Sequence, residues 1–179
     1  MKNLIILFLS LFAINTSFAQ DTKNFKIVNG RLIWQKVYEC KDSINQIVAN
    51  LKKGGIVKEN EITNNVITGI IKELDADYKG AGFSRGFTPI YLISNRITCS
   101  IMIDFKEGKY RVTIKNMKLT NFLESPISKV GESEPIETYA LKKKNTVFKD
   151  IFLKDAVTIL NYTFNKIFEQ TSKEEDDNW

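Results

Sequence analysis

The sequence predicts an α+β domain: an antiparallel sheet of about four to five strands, with two helices packed on one of its faces. Three observations carry this reading. Between 96 and 117, Ile97, Cys99, Ile101, Ile103 and Phe105 alternate with polar residues, and Tyr110, Val112 and Ile114 do so again after Glu107-Gly108. A period of two marks a strand with one buried face. Near 44–51 and again from 149, apolar residues recur at spacings of three and four, the mark of helices carrying one apolar stripe. The length of 179 residues fits one domain, since domains hold about 100–200.

The elements follow in chain order. Residues 1–19 read as a secretory signal peptide. Lys2 gives the charged start, Leu4 to Ile14 form an apolar run broken only by Ser10, and Ser17-Phe18-Ala19 places small residues for cleavage before Gln20. The run is far short of the ~20 apolar residues a membrane span requires. The chain is therefore expected to be exported, periplasmic or secreted, and not membrane-spanning.

The domain itself is expected over 20–171. Residues 26–38, rich in Ile, Val, Trp and Tyr, predict one strand bent at Asn29-Gly30. Ser43 and Gln46 form an S-x-x-Q capping box for a helix over 43–54. Its Ile44, Ile47, Val48 and Leu51 share a face, and Gly54-Gly55 stops it. Ile62 to Leu74 predicts a second strand with Gly69 inside it. In the hairpin at 96–117, a two-residue loop at Glu107-Gly108 pairs Phe105 with Tyr110, Ile103 with Val112 and Ile101 with Ile114, and sets Asp104 opposite Arg111. A slip of one residue would destroy that match.

Residues 119–147 hold Pro126 and Pro135 and no sustained period, so they predict a long connection with one short strand near 138–141. From Lys149 a broad apolar stripe of Phe148, Ile151, Phe152, Ala156, Ile159, Leu160, Phe164, Ile167 and Phe168 predicts a helix lying across the sheet. Lys154, Thr158, Asn161, Asn165 and Glu169 are expected on its solvent side. Residues 172–179 read as an acidic disordered tail.

Composition then removes whole classes of chemistry. The chain has no histidine, so Ser-His and Cys-His nucleophile pairs and His-ligated zinc are excluded. Two cysteines, Cys40 and Cys99, lie in a chain bound for a compartment that permits disulfides. One pair in a domain of this size is no framework, and both a Cys40–Cys99 bridge and two buried thiols stay open.

Gly82-Phe83-Ser84-Arg85-Gly86 matches G-x-S-x-G, yet Pro89 and a strand follow where the nucleophile elbow needs a helix, and its histidine is missing. Asp75-Ala76-Asp77-Tyr78-Lys79-Gly80 begins like a calcium loop. Lys79 then falls on a ligand position, and Gly86 stands where a bidentate Glu belongs. Gly80-Ala81-Gly82 is too short for a phosphate fingerprint. The acid pairs Glu59/Glu61 and Glu73/Asp75 would serve glycoside hydrolysis only by facing each other across a cleft. No catalytic, cofactor-binding or metal-binding residues are assigned.

The candidate site is the outward face of the hairpin. Lys106, Lys109, Arg111 and Lys115 gather there with only Asp104 in opposition, beside Thr98, Ser100, Met102 and Thr113. That face suits an anionic glycan, lipid headgroup or protein; the plainer alternative is the wet side of an antiparallel sheet. Lys142-Lys143-Lys144 reads as a surface loop.

Trp34-Gln35-Lys36-Val37-Tyr38-Glu39, the amphipathic helix after it, and Lys106-Glu107-Gly108-Lys109-Tyr110-Arg111 together resemble a domain-of-unknown-function family with a TATA-binding-protein-like fold, found in exported proteins of Gram-negative bacteria. The resemblance spans Phe25 to Lys118. It implies a curved antiparallel sheet with helices on one face, and it brings no activity, cofactor or catalytic residue. It does not imply DNA binding, because function resides in sites rather than folds.

The resulting expectation is a non-enzymatic binding or interaction module of the bacterial cell envelope. Its partner would be an anionic envelope component or another envelope protein, with no nucleic acid and no cofactor. The alternative is an envelope hydrolase built on carboxylates such as Glu73, Asp75 and Asp77, or on a Ser-Lys pair.

Overall fold

Asn29 and Gly30 both adopt left-handed backbone, with φ of +49° and +70°. Consecutive positive φ values make the tight turn whose twist matches that of a hairpin. Residues 26–38 are therefore two strands rather than one bent strand: β1 (Phe25–Val28) folds back on β2 (Arg31–Glu39), pairing Val28 with Arg31 and Phe25 with Trp34. The same holds for 62–74. Strand β3 (Val57–Thr63) turns into β4 (Val66–Leu74), with Thr63 opposite Val66 and Asn65 at φ +63°. These two hairpins, with a short added strand at Ser133–Pro135, correct the expected four to five strands to a seven-stranded sheet.

The structure is a computed structural model that describes residues 22–39, 44–53, 57–63, 65–124 and 129–169. The leader at 1–19 and the tail at 172–179 lie outside the described residues, as does Ser43 of the capping box.

Strands β5 (Asn95–Lys106) and β6 (Lys109–Asn121) form the anticipated hairpin. Phe105 faces Tyr110, Ile103 faces Val112, Ile101 faces Ile114, and Asp104 faces Arg111. The sheet order is β1-β2-β6-β5-β4-β3, antiparallel throughout, and β7 (Ser133–Pro135) adds to β6. Helix α1 (Ile44–Lys53) lies between β2 and β3 in the chain, which sit on opposite arms of the sheet. Its Ile47, Val48 and Leu51 are buried in the single core.

The connection after β6 is more structured than its sequence suggests. The stretch near 138–141, expected to be a strand, is mostly the helical turn α3 (Glu137–Ala140). It follows a short turn, α2 (Ile90–Ile93), that precedes β5. A small hairpin of β8 (Leu141–Lys142) and β9 (Val147–Phe148) comes next, with Lys143, Lys144 and Asn145 turning between them. Glu137 is buried, and its Oε1 accepts the Leu32 N–H at 3.0 Å. One backbone donor of the first hairpin is thus satisfied by a carboxylate 105 residues away.

The last helix lies across the sheet as its stripe requires. A π-turn at Phe152–Ala156 leads into α4 (Val157–Glu169). Phe164 and Phe168 pack on Trp34, with ring centres 5.5 and 6.2 Å away, and Phe25 meets Phe152 edge-on at 5.8 Å. Asn161 and Asn165, expected in solvent, instead close the border of this core. Asn161 Oδ1 accepts from Trp34 Nε1 at 3.0 Å and from Asn24 Nδ2 at 2.7 Å. Asn165 Oδ1 accepts from Tyr38 OH at 3.0 Å and from Lys36 Nζ at 2.7 Å. Donors on buried aromatic rings need such acceptors.

Candidate functional site: the outward sheet face

With the helices on one side, the other face of the sheet carries the even positions of β5, the odd positions of β6 up to Lys115, and their neighbours on β2 and β4. Lys106, Lys109, Arg111 and Lys115 all lie there and all are exposed. Two of the four are already matched. Arg111 Nε and Nη2 donate to Asp104 Oδ2 at 3.2 and 3.1 Å. Lys109 Nζ reaches Glu39 Oε1 at 2.9 Å, because β2 pairs with β6 and sets Glu39 beside Lys109. The expectation of Asp104 as the lone opposing acid is corrected by this long-range pairing, which hairpin arithmetic does not contain.

The face also holds a cation that alternation missed. Thr98 pairs with Lys118 but Ser100 pairs with Lys115, so β6 carries one extra residue there, and Asn116 adopts φ +54°. This is a β-bulge, which steps the strand by one residue. Beyond it Met117 and Leu119 turn inward and Lys118 outward. The signal was in the sequence: the apolar series Tyr110, Val112, Ile114 resumes at Met117 and Leu119, one residue out of phase. Lys106, Lys115 and Lys118 therefore have no ion pair among the described residues. Beside Lys115 the sheet forms an open concavity of about 420 Å³, lined also by Thr68, Ile70, Ser100, Met102 and Glu61.

The remaining motifs resolve into structural roles. Asp77 shapes the D-x-D-x-x-G segment: its Oδ1 accepts the Gly80 N–H at 2.8 Å, its Oδ2 meets Lys166 Nζ at 2.8 Å, and its own N–H donates to Thr163 Oγ1. A side chain on Gly80 would strike Tyr162 Cε1 at 2.5 Å and the Asp77 carboxyl at 2.6 Å, which explains the glycine without a metal. Asp75 reaches Arg96 Nε at 3.5 Å. Both aspartates line a second concavity of about 430 Å³, whereas exposed Glu73 sits at a β4 irregularity. Ser84 is exposed, and its carbonyl closes the Arg85–Phe87 turn.

The Lys166 ammonium and the Gly80 N–H hold the Asp77 carboxyl below the usual carboxylate range, and the pair raises Lys166 in turn. An acid with a depressed folded pKa stabilises above its unfolded pKa, and that contribution is lost as pH falls through the folded value. Asp77→Asn should therefore cost about 1 kcal/mol at neutral pH, since the pair is partly solvated. In urea melts the gap between parent and variant should close below about pH 4. A gap that does not narrow at all as pH falls below about 4 would count against this reading.

Cys99 is buried between Ile97 and Ile101 as a free thiol, and burial pushes its pKa up to about 12. It is no nucleophile, since the thiolate is the reactive form. Cys40, its possible partner, lies outside the described residues. Among the described residues no helix is long and apolar enough to cross a membrane.

No family model matches the sequence. No curated protein matches it either. Solved structures do. A DUF4468 family protein from Bacteroides ovatus is similar with a TM-score of 0.50 and 16% identity, over 87% of this chain and 97% of that one. A TBP-like protein from Parabacteroides distasonis is similar at 0.48 and 15%, over 84% and 98%. At such identity the likeness concerns the fold. The chain has the fold of a DUF4468 family protein, an antiparallel sheet backed by helices, as its resemblance to a domain-of-unknown-function family implied.

Proposed function

We propose that the chain is an exported, non-enzymatic binding module of the bacterial cell envelope, and that its outward sheet face takes an anionic partner. The observation that carries this is the trio Lys106, Lys115 and Lys118, which have no ion pair among the described residues and lie on the face opposite the helices. Lys115 also borders the open concavity beside Ser100 and Thr68. Export rests on the leader pattern at 1–19, and intact-mass data with the chain beginning at Gln20 would support it.

The non-enzymatic part has its own support. Asp75 and Asp77 share a concavity, as a carboxylate hydrolase would need, but each is paired with a cation. Asp77 is also held ionised, the wrong state for a general acid at neutral pH.

The test is binding of a sulfated glycan, followed by thermal shift at low and high salt. Affinity should fall as salt rises, because exposed charges are screened within about 10 Å at 0.1 M. Lys106→Glu combined with Lys115→Glu should weaken it by about tenfold or more, at ~1.4 kcal/mol per decade. Arg111→Glu should matter less, because Asp104 already holds that guanidinium. Equal affinity in the double variant would end this assignment of the face.

A further inference from the structure

Between Asp77 and Asp104 the chain carries no acidic residue, while Lys79, Arg85 and Arg96 lie in that stretch. At its tip stand Phe87 and Ile90, 80% and 71% exposed, the two most exposed large apolar side chains among the described residues. The loop holds them out by its own bonding. Phe87 N–H donates to Ser84 O at 3.1 Å, Thr88 N–H to Arg85 O at 3.3 Å, and Thr88 Oγ1 to Ser84 O at 2.9 Å. Thr88, Tyr91 and Leu92 are buried and anchor the loop, so Phe87 and Ile90 face solvent. Lys79 and Arg85 line the 430 Å³ concavity alongside Phe122 and Leu123, themselves exposed apolar residues. The carboxylates there are taken, Asp75 by Arg96 and Asp77 by Lys166, and Lys79 and Arg85 have no ion pair among the described residues.

We propose that this loop seats the protein on an anionic bilayer surface, with Phe87 and Ile90 entering the boundary between headgroups and acyl chains while Lys79 and Arg85 meet lipid phosphates. Projecting apolar side chains flanked by cations suit a deformable, negatively charged surface. They do not suit a second copy, because a two-fold contact through this loop would set Lys79 and Arg85 against their own equivalents. The seat lies at the opposite end of β5 from Lys106: the loop leads into Asn95, and Lys106 ends the same strand roughly 35 Å away at ~3.3 Å per residue. Lys118, opposite Thr98, is the cation of the sheet face nearest the loop. The protein would lie on the membrane and not cross it.

The test uses the chain from Gln20 onward, which holds every described element, with vesicles of phosphatidylcholine alone or mixed with phosphatidylglycerol. Co-sedimentation should be stronger with the anionic vesicles by about tenfold or more, as two cations near a charged surface imply. Phe87→Ser with Ile90→Ser should remove most of it without lowering the melting temperature, since both side chains are in solvent. Phe87→Trp should emit further to the blue when anionic vesicles are added.

Three results would overturn the proposal. One is equal binding by the double Ser variant and its parent. Another is vesicle binding lost in Lys106→Glu/Lys115→Glu but kept in the loop variant, which would assign the membrane to the sheet face. The third is a dimer in light scattering that the loop variant abolishes, with no vesicle binding by either chain.

Discussion

Trp34→Ala should lower the stability of the domain by about 3–5 kcal/mol, the range for removing a large aromatic side chain from a packed core. Trp34 has no exposed surface, sits between Phe164 and Phe168 of α4, and lies on β2 opposite Ile114 of the central strand. Its indole thus joins the sheet to the helix that covers it. The loss combines transfer energy with a cavity that Phe164 and Phe168, both held on α4, can close only in part. For a domain of this size the melting temperature should fall by roughly 6–20 °C, at ~2–4 °C per kcal/mol. Total stability of such domains is about 5–15 kcal/mol, so the variant should be marginal. Exposed Val37→Ala, on the same strand but the opposite face, should change the melt little. If Trp34→Ala melts with its parent, α4 does not depend on this contact and the packing described is wrong.

What the sequence could show, and what it could not, divides along range. The β5–β6 register was legible because one face is apolar and the turn is two residues long, which together leave a single solution. Helix α1 and the aromatic stripe of α4 were legible for a similar reason, a strong period over ten or more residues. The strand count was not. Asn29-Gly30 is the strongest short-range hairpin signal, but the short apolar run before it read as the start of one strand. Asn64-Asn65 is a weaker turn pair, and the chain before it, Lys58 to Glu61, is polar.

The site was half legible. Alternation placed Lys106, Lys109, Arg111 and Lys115 on one face, and they lie there. Their electrostatics depended on Glu39, which comes into play only through the pairing of β2 with β6, 70 residues apart in sequence. The apolar tip at Phe87 and Ile90 gave no sign in periodicity. Exposure of an apolar residue in an irregular loop is decided by which neighbours are anchored, here Thr88, Tyr91 and Leu92.

Asn161→Ala tests the reading that differs most between sequence and structure. On a solvated helix face the change should stabilise by a few tenths of a kcal/mol, since alanine is the better helix former. In the structure Asn161 Oδ1 is the acceptor for Trp34 Nε1, a donor on a side chain with no exposed surface, and for Asn24 Nδ2. Asn24 is only partly buried and can turn to water; the indole N–H cannot. An orphaned buried donor costs about 1–3 kcal/mol, so the variant should be destabilised by that amount despite its better propensity. Trp34→Phe removes the donor, and in that background Asn161→Ala should cost much less. The difference between the two costs is the energy of this one bond. A stabilising Asn161→Ala would return the residue to solvent and leave the indole to another partner. Equal costs in both backgrounds would instead locate the effect in Asn24, at the entry to β1 rather than under the aromatic core.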